Sequence, residues 1–215
     1  RLSPQDGVAH QDFGHAISIR DGSILVGAPA LQSAPNGYAR FKGSAYLYEF
    51  DGTGWSESQK LSASGPPSLN GYNFGTAVEL IDSGALVTAP REDFTAAQSG
   101  VVYSFRRDGE RTFVVDQKFG LPEPSPGSLL GMSVYTHQDL VLVGQPFRMS
   151  VDSLNNAGGV AVFQRLSAGR FRYAGVWENA FASRNSFYGA RSIVLDDVAL
   201  ISTHGDSEAG IGAGA

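Results

Sequence analysis

FGHAISIRDGSILVGAP at residues 13–29 and FGTAVELIDSGALVTAP at residues 74–90 carry one pattern twice. Each opens on Phe-Gly and reaches Ala-Pro so that the proline lies sixteen residues past the phenylalanine. Between those ends stand two short apolar runs split by an acidic, glycine-containing turn. The pattern recurs as LGMSVYTHQDLVLVGQP at 130–146 and, degraded, as YGARSIVLDDVALISTH at 188–204, so the starts lie 61, 56 and 58 residues apart. Self-similarity at a fixed period of this size marks repeated supersecondary units.

Working outward, each unit reads as four strands. The first follows the Phe-Gly pair (Ala16-Ile17-Ser18-Ile19, Ala77-Val78-Glu79-Leu80, Ser133-Val134-Tyr135, Ser192-Ile193-Val194-Leu195) and is rich in β-branched residues. Asp21-Gly22, Asp82-Ser83-Gly84, His137-Gln138-Asp139 and Asp196-Asp197 supply hairpin turns. Second strands such as Leu140-Val141-Leu142-Val143 are continuously apolar, as in strands covered on both faces. Third strands begin at Gly43, Gly100 and Gly159. More polar, edge-like fourth strands span 55–61, 113–119 and 171–177, and Leu2 aligns with their last residues, placing 1–4 at the end of an outer strand. No segment holds a 3.6-residue period over helical length, so the chain is all-β.

Four antiparallel strands per roughly 58 residues describe one blade of a β-propeller. A single four-stranded sheet cannot bury both faces, whereas blades stacked face to face about an axis cover one another. The glycines after Phe13 and Phe74 fall where innermost strands would crowd that axis, and a missing Cβ lets backbones approach. The expectation is one propeller domain over 1–215, with units starting near Phe13, Phe74, Leu130 and Tyr188; a stacked β-sandwich fits less well.

Phe13-Gly14 with Gly27-Ala28-Pro29, and Phe74-Gly75 with Thr88-Ala89-Pro90, resemble FG-GAP repeats, the blade units of the integrin α-subunit propeller and of bacterial surface and secreted proteins. Leu130-Gly131 with Gly144-Gln145-Pro146 is a variant, and Tyr188-Gly189 with Thr203-His204-Gly205 is divergent. The resemblance implies an adhesion or other protein-binding role at the cell surface, in the periplasm or outside the cell. It also raises the question of calcium, which integrin blades hold in an Asp-x-Asp-x-Asp-Gly loop between their first two strands. Here the corresponding turns hold only Asp21, Asp82, Asp139 and Asp196 with Asp197, too few oxygens for a hard cation, so no cofactor is expected and calcium would need ligands from elsewhere.

Both ends fall inside a unit, which suggests that the ring is not sealed by these residues. Three readings stay open: part of a larger ring of about seven blades, a four-bladed ring closed by pairing its ends, or closure through a second chain. An open arc would expose strand edges and an apolar blade face.

Composition narrows the partners. A formal charge of -5 argues against nucleic acid and anionic membrane surfaces, and no apolar run is long enough for a membrane helix. No cysteine is present, so disulfides and thiolate metal sites are excluded, and no Asn-X-Ser/Thr sequon invites N-glycosylation. The four histidines (His10, His15, His137, His204) lie at no ligand spacing, and no nucleophile elbow or phosphate loop appears. Arg20-Asp21-Gly22 and Arg107-Asp108-Gly109 read as hairpin turns, and the glycine-rich run at 210–215 has no helix after it to bind phosphate. No catalytic or metal residue is therefore named.

What remains is surface. The loops joining second to third strands, and one unit to the next, crowd one end of the fold and carry Tyr38, Arg40, Phe41, Tyr72, Arg91, Glu92, Phe94, Phe147, Arg148 and Phe187. Aromatics and arginines on loops of a rigid scaffold suit recognition, although such residues also plug blade junctions. The leading expectation is a non-catalytic interaction module gripping a protein or glycan through this end. The rivals are a propeller hydrolase or lyase using Glu79 and Arg191 near the axis, and an architectural subunit of a large assembly.

Overall fold

The computed structural model describes residues 1–7, 11–31, 42–65, 71–109, 112–149, 156–167, 169–180, 185–196 and 198–205. They form strands and no helix. β1 (Ala16–Arg20), β2 (Ser23–Ala28), β3 (Ser44–Phe50) and β4 (Trp55–Leu61) make the first sheet. β5 (Val78–Ile81), β6 (Gly84–Ala89), β7 (Val101–Arg107) and β8 (Phe113–Phe119) make the second, and β9 (Ser133–His137), β10 (Leu140–Gly144), β11 (Val160–Arg165) and β12 (Phe171–Trp177) the third. The fourth holds β13 (Ser192–Leu195) and β14 (Val198–Ile201). Within every sheet each strand hydrogen-bonds to the one before it in the chain, the topology of a propeller blade. The expected all-β propeller fold is the fold adopted.

Two compact units result, Arg1–Glu92 with Val102–Lys118, and Asp93–Val101 with Phe119–Ala215. In both, the repeat motif acts through its backbone. The N–H of Gly14 donates to the Gly27 carbonyl (3.1 Å), Gly75 to Thr88 (2.9 Å), Gly131 to Gly144 (2.9 Å) and Gly189 to Ser202 (3.0 Å). This recurring bond closes each unit's inner hairpin and accounts for the fixed length of the motif.

A second set of contacts joins one sheet to the next. In the first unit the Phe74 N–H donates to the Lys42 carbonyl at 2.8 Å, and Gly43 and Phe74 form a parallel bridge. A Cβ built on Gly27 would stand 2.1 Å from the Gly75 carbonyl oxygen, and one on Gly75 would stand 2.2 Å from that of Ser44. The second unit repeats the device at Gly100–Leu130 and Gly158–Tyr188, with Gly144 lying as close to the Gly189 carbonyl. Two expectations are corrected here. Gly75 crowds the neighbouring sheet's backbone rather than an axis, while Gly14 has no atom within 4 Å and its φ of +94° is what calls for glycine. The bridging glycine of the third unit is Gly158, one residue before the one that spacing aligned.

The phenylalanine of the motif packs its ring on the third strand of its own sheet. Phe74 is fully buried and meets Tyr103 edge-on at 5.1 Å and Phe105 at 6.2 Å; Phe13 meets Tyr46 at 5.6 Å and Tyr48 at 6.2 Å. Burying such a ring stabilises by about 1.5–3 kcal/mol, and each edge-to-face pair adds about 0.5–1.5 kcal/mol. Farther out, the Gln59 side-chain amide exchanges two 2.7 Å bonds with the Phe113 backbone, holding outer strand β4 to β8.

Second strands β2, β6 and β10 are almost wholly buried, as their apolar runs predict. β14 differs. Among the described residues its sheet has only two strands, and Val198 and Leu200 face solvent, as do Ile17 and Ile19 on β1.

Candidate functional site

The loop residues singled out by sequence separate into distinct environments. Tyr38, Arg40 and Phe41, with His10, Asp197 and the 210–215 run, lie outside the described residues. Tyr72 and Glu92 are turned inward, each 6% exposed, and so do not form an open surface. The Glu92 carboxylate accepts from the Tyr103 hydroxyl at 2.6 Å and pairs with the Lys118 ammonium at 2.8 Å, which draws it into the blade. Burial, helped by Glu92, raises the Tyr103 pKa well above the usual phenol value. Tyr46 repeats this box in the first sheet with Asp6 and Lys60. Arg91 is half-buried, its N–H on the Tyr72 carbonyl at 3.2 Å, and Phe94 packs its ring against Gly120. Arg148 forms an ion pair with Glu178, and burial lowers its pKa.

Phe147 and Phe187 do come together. In the second unit their rings meet edge to face at 5.6 Å and wall a cleft of about 320 Å³ with Met132, Pro146, Ala190, Arg191 and His204. The cleft opens at the long-loop end, because Phe147 follows β10 and Phe187 precedes the motif pair Tyr188-Gly189. Its volume suits a side chain or small ligand. Among the described residues no carboxylate lines it.

Phe187 holds a left-handed backbone. The residue just before the motif pair has positive φ in every unit: Asp12 at 54°, Asn73 at 52°, Leu129 at 50° and Phe187 at 54°. Asp and Asn accept that left-handed conformation readily, whereas Leu129 and Phe187 do so at a cost on the order of 1 kcal/mol or more. The Phe187 N–H is held there by the Asn156 carbonyl at 2.9 Å. Strain retained where a cheaper residue would serve is a pointer to function.

Other departures of the fourth repeat meet in the same place. Arg191 stands where the earlier units have Ala16, Ala77 and Ser133, and His204 where they have Pro29, Pro90 and Pro146. The Arg191 backbone is fixed by Ser202, which accepts its N–H at 3.0 Å, as Thr88 does for Ala77 at 2.9 Å. Its Nη1 leans on the carbonyls of Ala190 (3.2 Å) and Met132 (3.4 Å), and no described carboxylate pairs with it. An exposed guanidinium beside two rings and a thioether can hold a group that is apolar at one end and anionic at the other. The sequence placed Arg191 only in the enzymatic rival and did not single out Met132 or His204. The available signal was the pattern of departures from the repeat.

A second hollow, of about 440 Å³, lies at the short-turn end of the first unit and is lined by Arg20, Asp21, Ser23, Glu49, Asp82 and Arg107 among others. Its cations are engaged. Arg20 pairs with Asp82 and donates to the Leu80 carbonyl at 3.1 Å, while Arg107 pairs with Glu49 at 3.1 Å and donates to Ser23 at 3.3 Å. Arg107 also lies 4.8 Å from the Phe113 ring centre. These groups tie the first sheet to the second. Glu79 sits half-buried on β5 in that unit. Among the described residues no cluster of three metal-binding side chains occurs, and no helix is long and apolar enough to cross a membrane.

Residues 1–48 match a family described as the FG-GAP repeat, a span that includes the first motif and most of β3. No curated protein matches the chain. Among solved structures it is similar to the crystal structure of Saccharomyces cerevisiae Sqt1, a β-propeller, with a TM-score of 0.54 and 13% identity over 93% of this chain and 44% of that one. The chain thus spans less than half the length of that structure. At this identity the likeness concerns the fold.

Proposed function

We propose that the chain is a non-catalytic propeller interaction module, secreted or surface-exposed, that holds a protein partner at its long-loop end through the cleft of Phe147, Phe187 and Arg191. The propeller fold and the FG-GAP match support an interaction-type module in general. The specific reading turns on Phe187, an aromatic wall kept in left-handed backbone where two other units place Asp12 and Asn73. Leu129 holds the same conformation in the third unit, so it is the meeting of Phe187 with Phe147 and Arg191 in one cleft that supports the reading.

The test is selection of peptide binders on the folded chain, followed by affinity measurement on Phe147→Ala and Phe187→Asn. Both variants should weaken binders at least tenfold while the thermal midpoint moves little. Binders that hold equally to wild type and to both variants would remove the cleft from consideration. The enzymatic alternative gains nothing from this cleft, whose described lining offers no carboxylate for general acid-base work on a glycosidic bond.

A further inference from the structure

We infer that the occupant of this cleft is a peptide group in which a carboxylate sits next to an aromatic or branched apolar side chain. The inference rests on the cleft being the partner site and adds the chemistry of what enters it. The apolar half follows from the walls. Met132, Pro146, Phe147, Phe187 and Ala190 offer surfaces that favour burial of a hydrocarbon or ring, and the edge-to-face rings leave an aromatic face for a third ring.

The anionic half follows from Arg191. A guanidinium has five N–H donors in a rigid fork. Two backbone carbonyls accept from Nη1, which anchors that end of the fork without neutralising its charge. Among the described residues no acid lines the cleft, and the His204 imidazole adds an N–H donor on its wall. The complement of a positioned, uncompensated fork is a carboxylate taken bidentately. A glycan fits less well, since sugar hydroxyls require a dense set of polar partners and five of the seven lining residues offer only apolar side chains.

The sequence bears this out position by position. Arg191 and His204 stand where the other units have Ala or Ser and proline, Phe187 stands where two of them have Asp12 and Asn73 and the third Leu129, and all three line one cleft.

Four probes separate the outcomes, each titrated calorimetrically into the folded chain: N-acetylphenylalanine, its amide, N-acetyl-aspartyl-phenylalanine amide, and an oligouronide. The first and third differ in whether the carboxylate is terminal or on a side chain. At least one of them should bind about tenfold or more tightly than the plain amide. Arg191→Gln should abolish that advantage and leave the amide's affinity unchanged, Arg191→Lys should restore part of it, and Phe147→Ala should weaken acid and amide alike. Acid and amide binding equally, with both lost in Phe147→Ala, would overturn the carboxylate inference and keep the cleft as the partner site. Preference for the oligouronide would overturn the peptide in favour of a glycan. Absence of binding by every probe would overturn the inference and the proposed function together.

Discussion

Gly27→Ala isolates the joint between the first two sheets. Gly27 has no left-handed backbone, so alanine costs nothing through φ, and the change tests contact alone. Its new methyl carbon would lie 2.1 Å from the Gly75 carbonyl oxygen, a backbone atom that cannot rotate away. An ordinary contact requires more than an ångström of further separation, which must come from displacing the Phe74-Gly75 segment and with it the fully buried Phe74 ring. Overpacking of this kind costs about 1–3 kcal/mol, and a rigid backbone neighbour puts the expected value near the top of that range. For a chain of this length, each kcal/mol lowers the thermal midpoint by about 2–4 °C, so a fall of about 4–12 °C is expected. The matched control is Gly54→Ala, in the β3–β4 hairpin, where a Cβ meets nothing within 4 Å and the φ is again unremarkable. That variant should stay within about 0.5 kcal/mol of wild type. Calorimetric unfolding of the two variants side by side is the assay. If Gly27→Ala melts with wild type, the glycine is not there to admit the neighbouring carbonyl, and the account of the motif as a backbone joint is wrong.

Phe187→Asn relieves left-handed strain worth about 1–2 kcal/mol and forfeits one edge-to-face pair worth about 0.5–1.5 kcal/mol, so the midpoint should barely move; a loss of many degrees would show that the ring is chiefly structural. Arg107→Ala removes charge-assisted contacts to Glu49 and Ser23 and a stack on Phe113, and should cost about 2 kcal/mol in urea unfolding. A stability equal to wild type would mean that the short-turn hollow ties nothing together. Burial, with the Glu57 carboxylate second, raises Tyr48 to about 12, and burial raises Tyr103 as well. Unfolded tyrosines ionise near pH 10 while these stay neutral in the fold, so their contribution is intact below pH about 10 and is lost as pH climbs toward Tyr48's folded value. Alkaline unfolding should therefore set in above pH about 10 and be shallower in Tyr103→Phe; identical profiles would refute the assignment.

Most of the fold was legible because its signals are local and repeated. Fourth strands at 55–61, 113–119 and 171–177 match β4, β8 and β12 to the residue, since Trp55, Phe113 and Phe171 open them after turn residues. The hairpins at Asp21 and Gln138 carry the left-handed residues that tight turns need. What spacing could not reveal was long-range. Gly43 and Gly158 are glycines because Phe74 and Tyr188 cross them, a relation between residues some thirty positions apart, and so the third unit's alignment slipped by one. Glu92 looked like an exposed loop acid because its partners, Tyr103 and Lys118, lie on strands 11 and 26 residues further on. The cleft was half visible. Phe147 and Phe187 were chosen as loop aromatics, but Arg191 sits at the mouth of an inner strand and His204 at a motif proline position, where only comparison among the units exposes them.

The contacts that lock Phe74-Gly75 to Gly27 and Gly43 run through carbonyls, amides and missing methyls, and almost nothing in them depends on which side chain follows. A coupling made this way tolerates wide substitution around it. Leu130 and Tyr188 can replace the phenylalanine, and Thr88 or Ser202 the first glycine, while the inner hairpin of each repeat still closes. Copies of the blade are thereby released from resembling one another, and a single copy can be remodelled for recognition without its neighbours having to change in step.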